Sequence, residues 1–140
     1  EIDGLRVLPS GPIQPVEIKT LPYPGFPTDM QAQFMAYLSL AAGNSTIRET
    51  VFENRFMHVQ QLAKMGADIT VHGHTALIRG VQKLQGAYVE ATDLRAGAAM
   101  IVAALAAEGE TTIGQVDHIY RGYENIVGKL IEVGAKIREE

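Results

Sequence analysis

Cysteine is absent from the sequence, which excludes disulfides, thiolate metal sites and thiol nucleophiles from these 140 residues. Long hydrophobic runs are missing as well. The longest, Ala96 to Ala107, holds twelve residues, is mostly alanine, and lies between Arg95 and Glu108. A membrane-spanning helix needs about 20 apolar residues, so this run reads as a buried core helix. No charged start, apolar middle and small-residue cleavage site mark a targeting segment, and the expectation is a soluble, cytoplasmic protein. Positive charge is scarce, with 12 Lys and Arg against 16 Asp and Glu, a formal net charge of −4. That balance argues against nucleic acid or an anionic membrane as partner. Fourteen glycines and six prolines imply many turns, yet they are too few and too scattered for a disordered or collagenous chain. Gly-x-Gly-x-x-Gly, Walker and Gly-x-Ser-x-Gly patterns are all missing.

What is present is a globular composition, 46% hydrophobic. A chain of this length can bury roughly two-thirds of its unfolded surface. Strands alternate with helices, an α/β pattern. Leu5-Arg6-Val7-Leu8 and Val16-Glu17-Ile18-Lys19 read as short strands. The stretch from Leu21 to Pro27 cannot be regular, because its three prolines lack amide donors and fix φ. After it, Thr28 or Asp29 is placed to cap a helix carrying Met30, Phe34, Leu38 and Ala41 on one face. A strand at Thr46–Arg48 follows, then a helix with Phe56, Val59, Leu62 and Met65, stopped by Gly66. Further strands are expected around Ile69–Val71, Ala76–Ile78 and Tyr88–Val89.

The pattern then returns. Thr28-Asp29-Met30 is echoed by Thr92-Asp93-Leu94 at an offset of 64. Gly43, Thr46-Ile47 and Arg55 are echoed by Gly109, Thr112-Ile113 and Arg121 at 66. Leu62, Gly66-Ala67 and Ile69 are echoed by Leu130, Gly134-Ala135 and Ile137 at 68. The chain thus holds an internal repeat. It divides into residues 1–20, the end of a preceding unit, 21–86, unit one, and 87–140, unit two, all parts of one truncated domain.

Chemistry concentrates at a few repeated places. Each Thr-Asp pair either caps its helix or, in the sharper reading, offers a carboxylate at a cleft edge to accept a proton from a substrate hydroxyl. Arg55 and Arg121 are repeat-equivalent and read as lying near helix starts, with Arg95 in the first turn of the alanine helix. A cation there opposes the helix dipole, whereas a bound anion would reverse that argument. Surface ion pairs remain the plainer reading of each arginine. His72-Gly73-His74 lacks an acidic or thiol partner and reads as a solvated turn, so no metal is expected. His58 and His118 lack an evident orienting carboxylate.

Four segments, Phe26-Pro27-Thr28-Asp29, Glu53-Asn54-Arg55-Phe56, Thr92-Asp93-Leu94-Arg95-Ala96-Gly97-Ala98 and Arg121-Gly122-Tyr123-Glu124, together resemble the bacterial UDP-N-acetylglucosamine 1-carboxyvinyltransferase family, over essentially the whole chain. The resemblance implies an α/β (α+β) fold of repeated βαβαββ units, the inside-out barrel of the enolpyruvyl transferases, of which this chain is a partial domain, the C-terminal portion. It implies transfer of enolpyruvate from phosphoenolpyruvate to the 3′-hydroxyl of UDP-N-acetylglucosamine, with release of phosphate, in peptidoglycan precursor synthesis and hence in cell-wall biogenesis, cell shape and division. By resemblance Asp29 is the general base. Val51, through its backbone, and Phe52 line the nucleotide-sugar site, with Thr28 beside Asp29. Arg55, Arg95 and Arg121 hold the carboxylate and phosphate of phosphoenolpyruvate, and Asp93 orients an arginine. No cofactor is implied. The family's cysteine-bearing loop, a lysine and a further arginine belong to an N-terminal remainder, so the isolated polypeptide is expected to be inactive. Rival readings are the sister 3-phosphoshikimate 1-carboxyvinyltransferase family and a non-catalytic repeat module that pairs with a partner chain.

Overall fold

The computed structural model describes residue 4, residues 6–8 and residues 11–140. Two β-α-β passages organise it. In the first, strand β1 (Glu17–Lys19) leads through helix α1 (Gln31–Leu38) to strand β2 (Asn44–Arg48), and the two strands pair in parallel. A short helix α2 (Val59–Lys64) and the hairpin β3 (Asp68–His72) and β4 (Thr75–Arg79) follow, completing a four-stranded sheet in the order β1-β2-β4-β3. The second passage runs from β5 (Tyr88–Glu90) through α3 (Leu94–Ala106) to β6 (Thr112–Gly114), again parallel. Helices α4 (Asp117–Gly122) and α5 (Ile126–Glu132) close the chain. β1 lies on the far side of the residue-20 division from its partner β2, and it stands in the first passage where β5 stands in the second.

The hydrophobic pattern explains the layering. Strand β4 buries Ala76 and Ile78 while β2 buries Ile47, the alternation of a half-buried sheet. Met35 and Leu38 of α1, Leu62 of α2 and Met100 of α3 meet on that sheet's inner side in one cluster that spans both units. The alanine run is the core helix expected: Ala96, Ala99, Met100 and Ala103 are buried. Its small side chains let α1 and α3 lie against each other. A smaller cluster of Ala91, Ile101 and Ile119 seats α4 on α3.

Helix α2 ends at Gly66 and α5 at Gly134, with φ of +89° and +95°. In both, the residue after the glycine donates its amide to the carbonyl of a leucine five residues back, Ala67 to Leu62 and Ala135 to Leu130. The left-handed conformation closes that bond without a Cβ penalty, so the repeat is preserved at the helix ends.

Some expectations differ from the structure. Arg6–Leu8 form no strand, and Leu5 lies outside the described residues. Met30 is exposed and sits in a 3-10 turn, Thr28–Met30, ahead of α1, so the buried face is set by Ala32, Met35, Ala36 and Leu38. Phe56 precedes α2 and is not on it. Ile137, the counterpart of Ile69, is in no strand.

Candidate active site at the junction of the two units

The N-terminal end of α1, the 49–58 loop before α2 and the N-terminal end of α3 converge. Several bonds stitch them together. Gln31 Nε2 donates to the Arg55 carbonyl (3.4 Å), Arg95 Nε donates to Asp29 Oδ1 (2.6 Å), and the neighbouring elements β5 and α2 are joined by the Glu90 amide donating to Gln61 Oε1 (3.1 Å).

The two aspartates behave differently. Asp93 caps α3: its Oδ1 accepts the amides of Arg95 (2.8 Å) and Ala96 (3.1 Å). Neither Thr28 nor Asp29 caps α1. The position before the 3-10 turn is Pro27, and no side-chain cap bond forms at either helix start. Asp29 instead projects outward, its side chain 68% exposed, and meets the Arg95 guanidinium from the other unit. The capping reading of Asp29 is therefore overturned.

The arginines also part company. Arg95 is in the first turn of α3, as expected, and its charge is met there by Asp29. Arg55 lies in the loop before α2; its guanidinium stacks on the Phe52 ring at 4.2 Å, and its Nη1 is buried with no hydrogen-bond partner among the described residues. Arg121 is in the last turn of α4 and not at a helix start, a position the helix dipole favours. The reason is helix α4, which forms over residues whose counterparts in unit one, 51–56, are loop. Gly122, the neighbour of Arg121, packs against Leu94 at the start of α3, where a Cβ would strike the Leu94 side chain. Arg121 itself is exposed and, among the described residues, makes no ion pair with the other site residues.

Glu49 escaped the sequence reading. It is 1% exposed, and its carboxylate accepts four hydrogen bonds: Thr20 Oγ1 (2.8 Å), the Val51 amide (2.9 Å) and the Phe52 amide (3.2 Å) on Oε1, and Thr28 Oγ1 (2.8 Å) on Oε2. Burial works against its charge, but these bonds outweigh burial and hold the carboxyl below the usual range. The Val51 amide is thus already committed within the protein. The only sequence signal was a glutamate directly after a strand, which by itself reads as surface. His58, 3% exposed, sits beside Met35 Sδ at 3.2 Å; burial pushes its pKa down to about 4, partly countered by the negative charge of Asp93.

Phe52, Arg55, Met57, Val71 and His74 line an open cleft of about 790 Å³ beside this junction. Its floor carries the Arg55–Phe52 stack and the buried Glu49 carboxylate. Among the described residues no group of three or more His, Asp or Glu forms a metal cluster. No helix among them is long and apolar enough to cross a membrane.

The candidate site thus offers an outward aspartate paired with an arginine of the second repeat and, in the 49–58 loop, a stacked arginine whose Nη1 has no hydrogen-bond partner among the described residues. The family model for EPSP synthase (3-phosphoshikimate 1-carboxyvinyltransferase) matches residues 3–130. The chain belongs to the EPSP synthase family. Curated relatives named UDP-N-acetylglucosamine 1-carboxyvinyltransferase include one from Thermodesulfovibrio yellowstonii, 60% identical over 97% of this chain and 33% of its own length. Another, from Gluconobacter oxydans, is 62% identical over 96% of this chain and 32% of its own length. The chain spans about a third of the length of the curated relatives it matches. Among solved structures, the enolpyruvyl transferase NikO from Streptomyces tendae superposes with a TM-score of 0.82 at 35% identity, over 91% of this chain and 29% of that one. An EPSP synthase from Acinetobacter baumannii, at 20% identity and a TM-score of 0.55 over 74% of this chain and 24% of that one, shares the fold. The α/β architecture of an EPSP synthase-family partial domain is the one expected from the residues.

Proposed function

We propose that this chain supplies the base-and-arginine side of an enolpyruvyl transferase that moves enolpyruvate from phosphoenolpyruvate to the 3′-hydroxyl of UDP-N-acetylglucosamine. The observation that carries the reading is the Asp29–Arg95 pair (2.6 Å), which joins an uncapped carboxylate of one unit to a helix-start cation of the other. Asp29 accepts the proton of the sugar 3′-hydroxyl as that oxygen attacks the enol carbon bearing the phosphate, while the methylene carbon takes a proton from an acid of the N-terminal remainder; loss of a proton from the resulting methyl group then expels phosphate and restores the double bond. Arg55, Arg95 and Arg121 hold the carboxylate and phosphate of phosphoenolpyruvate and stabilise the developing charge. The buried, unpartnered Nη1 of Arg55 supports that role. Asp93 sets Arg95 by fixing the first turn of α3. Thr28, Val51 and Phe52 line the nucleotide-sugar side, with Val51 using its carbonyl, because its amide is bonded to Glu49. High identity to relatives named for the UDP-N-acetylglucosamine acceptor, against 20–23% to solved EPSP synthases, favours that acceptor over shikimate 3-phosphate. The reading places the chain in cytoplasmic peptidoglycan precursor synthesis, acting with the N-terminal remainder of the same enzyme.

The test is acceptor-dependent phosphate release. A full-length enzyme carrying this segment releases phosphate from phosphoenolpyruvate with UDP-N-acetylglucosamine and not with shikimate 3-phosphate. The 140-residue chain alone releases none above background with either. The reverse acceptor preference would transfer the assignment to the sister activity, and turnover by the isolated chain would overturn the division of the site.

A further inference from the structure

Asp29 projects without a capping role, so something other than its own helix must hold it in place. The 3-10 turn that carries it has no side-chain cap, and its neighbour Thr28 gives its hydroxyl to Glu49 Oε2 at 2.8 Å. The other oxygen of the same carboxylate takes the Val51 and Phe52 amides. One buried side chain therefore ties the segment bearing Asp29 to the segment bearing Val51 and Phe52. Thr20 completes the knot, donating to Glu49 Oε1 and accepting the Thr50 amide at 2.9 Å, while the Thr50 hydroxyl donates to the Thr20 carbonyl. No cation pairs with Glu49 among the described residues, so its charge is held by oriented dipoles alone.

Unit two lacks this arrangement. At the 66-residue offset the counterpart of Glu49 is Gln115, and the Thr92 hydroxyl, counterpart of Thr28, is buried with no partner among the described residues. A bond network needed only to close a β-α-β passage would be expected in both. It occurs solely in the unit whose aspartate is free of helix amides.

We infer that Glu49 is a positioning residue for the transfer reaction. It sets the Asp29 carboxylate and the Val51–Phe52 backbone at a fixed separation, and so fixes the distance between the proton acceptor and the bound nucleotide sugar. The inference rests on the functional reading above. Glu49 touches no reacting atom in this scheme. Its effect passes through Thr28 and the two amides, and a displacement of about 1 Å at a reacting group can cost roughly 100-fold in rate.

Steady-state kinetics on a full-length enzyme carrying this segment, with Glu49→Gln, Glu49→Ala and Asp29→Ala measured side by side, test it. Glu49→Gln keeps one acceptor oxygen and the side-chain shape, and the Thr28 hydroxyl can turn to accept from the new amide. It is expected to lose roughly 10-fold in kcat, and Glu49→Ala roughly 100-fold, with KM for the nucleotide sugar rising several-fold and KM for phosphoenolpyruvate staying within about twofold. Should Glu49→Ala fail to fold, Glu49→Gln carries the same kinetic split. A Glu49→Gln enzyme with a lowered thermal midpoint but wild-type kcat and KM would make the knot merely structural and overturn the inference. So would equal rises in KM for both substrates. Asp29→Ala separates the two levels. If it abolishes turnover while Glu49→Gln is kinetically wild type, only the positioning role fails. If Asp29→Ala itself turns over normally, the functional reading fails first.

Discussion

Thr28-Asp29 and Thr92-Asp93 are the same dipeptide in the same place of two repeated units, and they do opposite things. Asp93 spends both hydrogen bonds on the first amides of α3, and its threonine has no partner. Asp29 spends none on α1; its threonine is anchored to Glu49 and its carboxylate reaches across to Arg95. The difference begins upstream. Pro27 opens a 3-10 turn in unit one, so the chain enters α1 without presenting a side chain to the free amides. Unit two enters α3 with Asp93 in extended backbone, φ −158° and ψ 177°, the conformation a capping residue needs. One copy is thus a structural cap, and the other leaves its carboxylate free of helix amides.

That contrast can be broken most sharply through activity. Asp29→Ala in a full-length enzyme carrying this segment should lower kcat by about 10²–10⁴, the range for loss of a general base. Its thermal stability should stay within about 0.5 kcal/mol, as for surface changes that remove no cap or core contact. A stability loss without a loss of turnover would make Asp29 a structural residue, acting through its bond to Arg95.

Acid is the next lever. His58 in the folded chain takes its proton near pH 4, against 6.5 when unfolded, so between those values the unfolded state holds more protons and stability falls as pH drops. The loss, read from urea unfolding at a series of pH values, should approach about 3 kcal/mol by pH 4 and be absent above pH 7. Glu49, with its depressed carboxyl, adds a loss of the same sign at lower pH. His58→Gln should flatten the slope between pH 6.5 and 4.

Asp93→Ala should cost about 1 kcal/mol of stability, the usual worth of an N-cap, measured by denaturant midpoint in the same enzyme. An effect of this size on Asp93 with none on Asp29 would sharpen the division between the two copies. Smallest of all, a double-mutant cycle on Asp29→Asn and Arg95→Gln should give a stability coupling of only about 0.2–1 kcal/mol, because the pair is solvent-exposed. A larger coupling would mean that the pair holds the two units together and is not merely poised for a ligand.

Much of the fold was legible in the residues. The period-3.6 runs around Leu62 and through the alanine segment, the alternation at Ala76 and Ile78, and the glycines that end α2 and α5 all mark elements that formed, since each depends on local geometry and one buried face. The candidate site was legible as a set of charged positions, and its arrangement was not. Asp29, Arg55, Arg95 and Arg121 were visible as repeated charged positions. That Arg95 would meet Asp29, that Arg55 would lie over Phe52, and that Arg121 would end a helix were not. Those outcomes depend on how α3 docks against α1 and on a stretch that is helix in unit two and loop in unit one.

Cysteine-free composition, the absence of a membrane-length run and the roughly 66-residue echo were properties of the sequence by itself. They determined that no thiol chemistry can reside in these 140 residues and that the motifs recur, while the alternation of strand and helix patterns marked the chain as α/β. Only the tertiary structure decided which aspartate is a cap and which is free, and only it exposed Glu49 as the centre of a buried knot. The physical reason is range. Periodicity and capping preferences are set within a helical turn, whereas the bonds that position Asp29 join residues 21 and 66 apart in the chain.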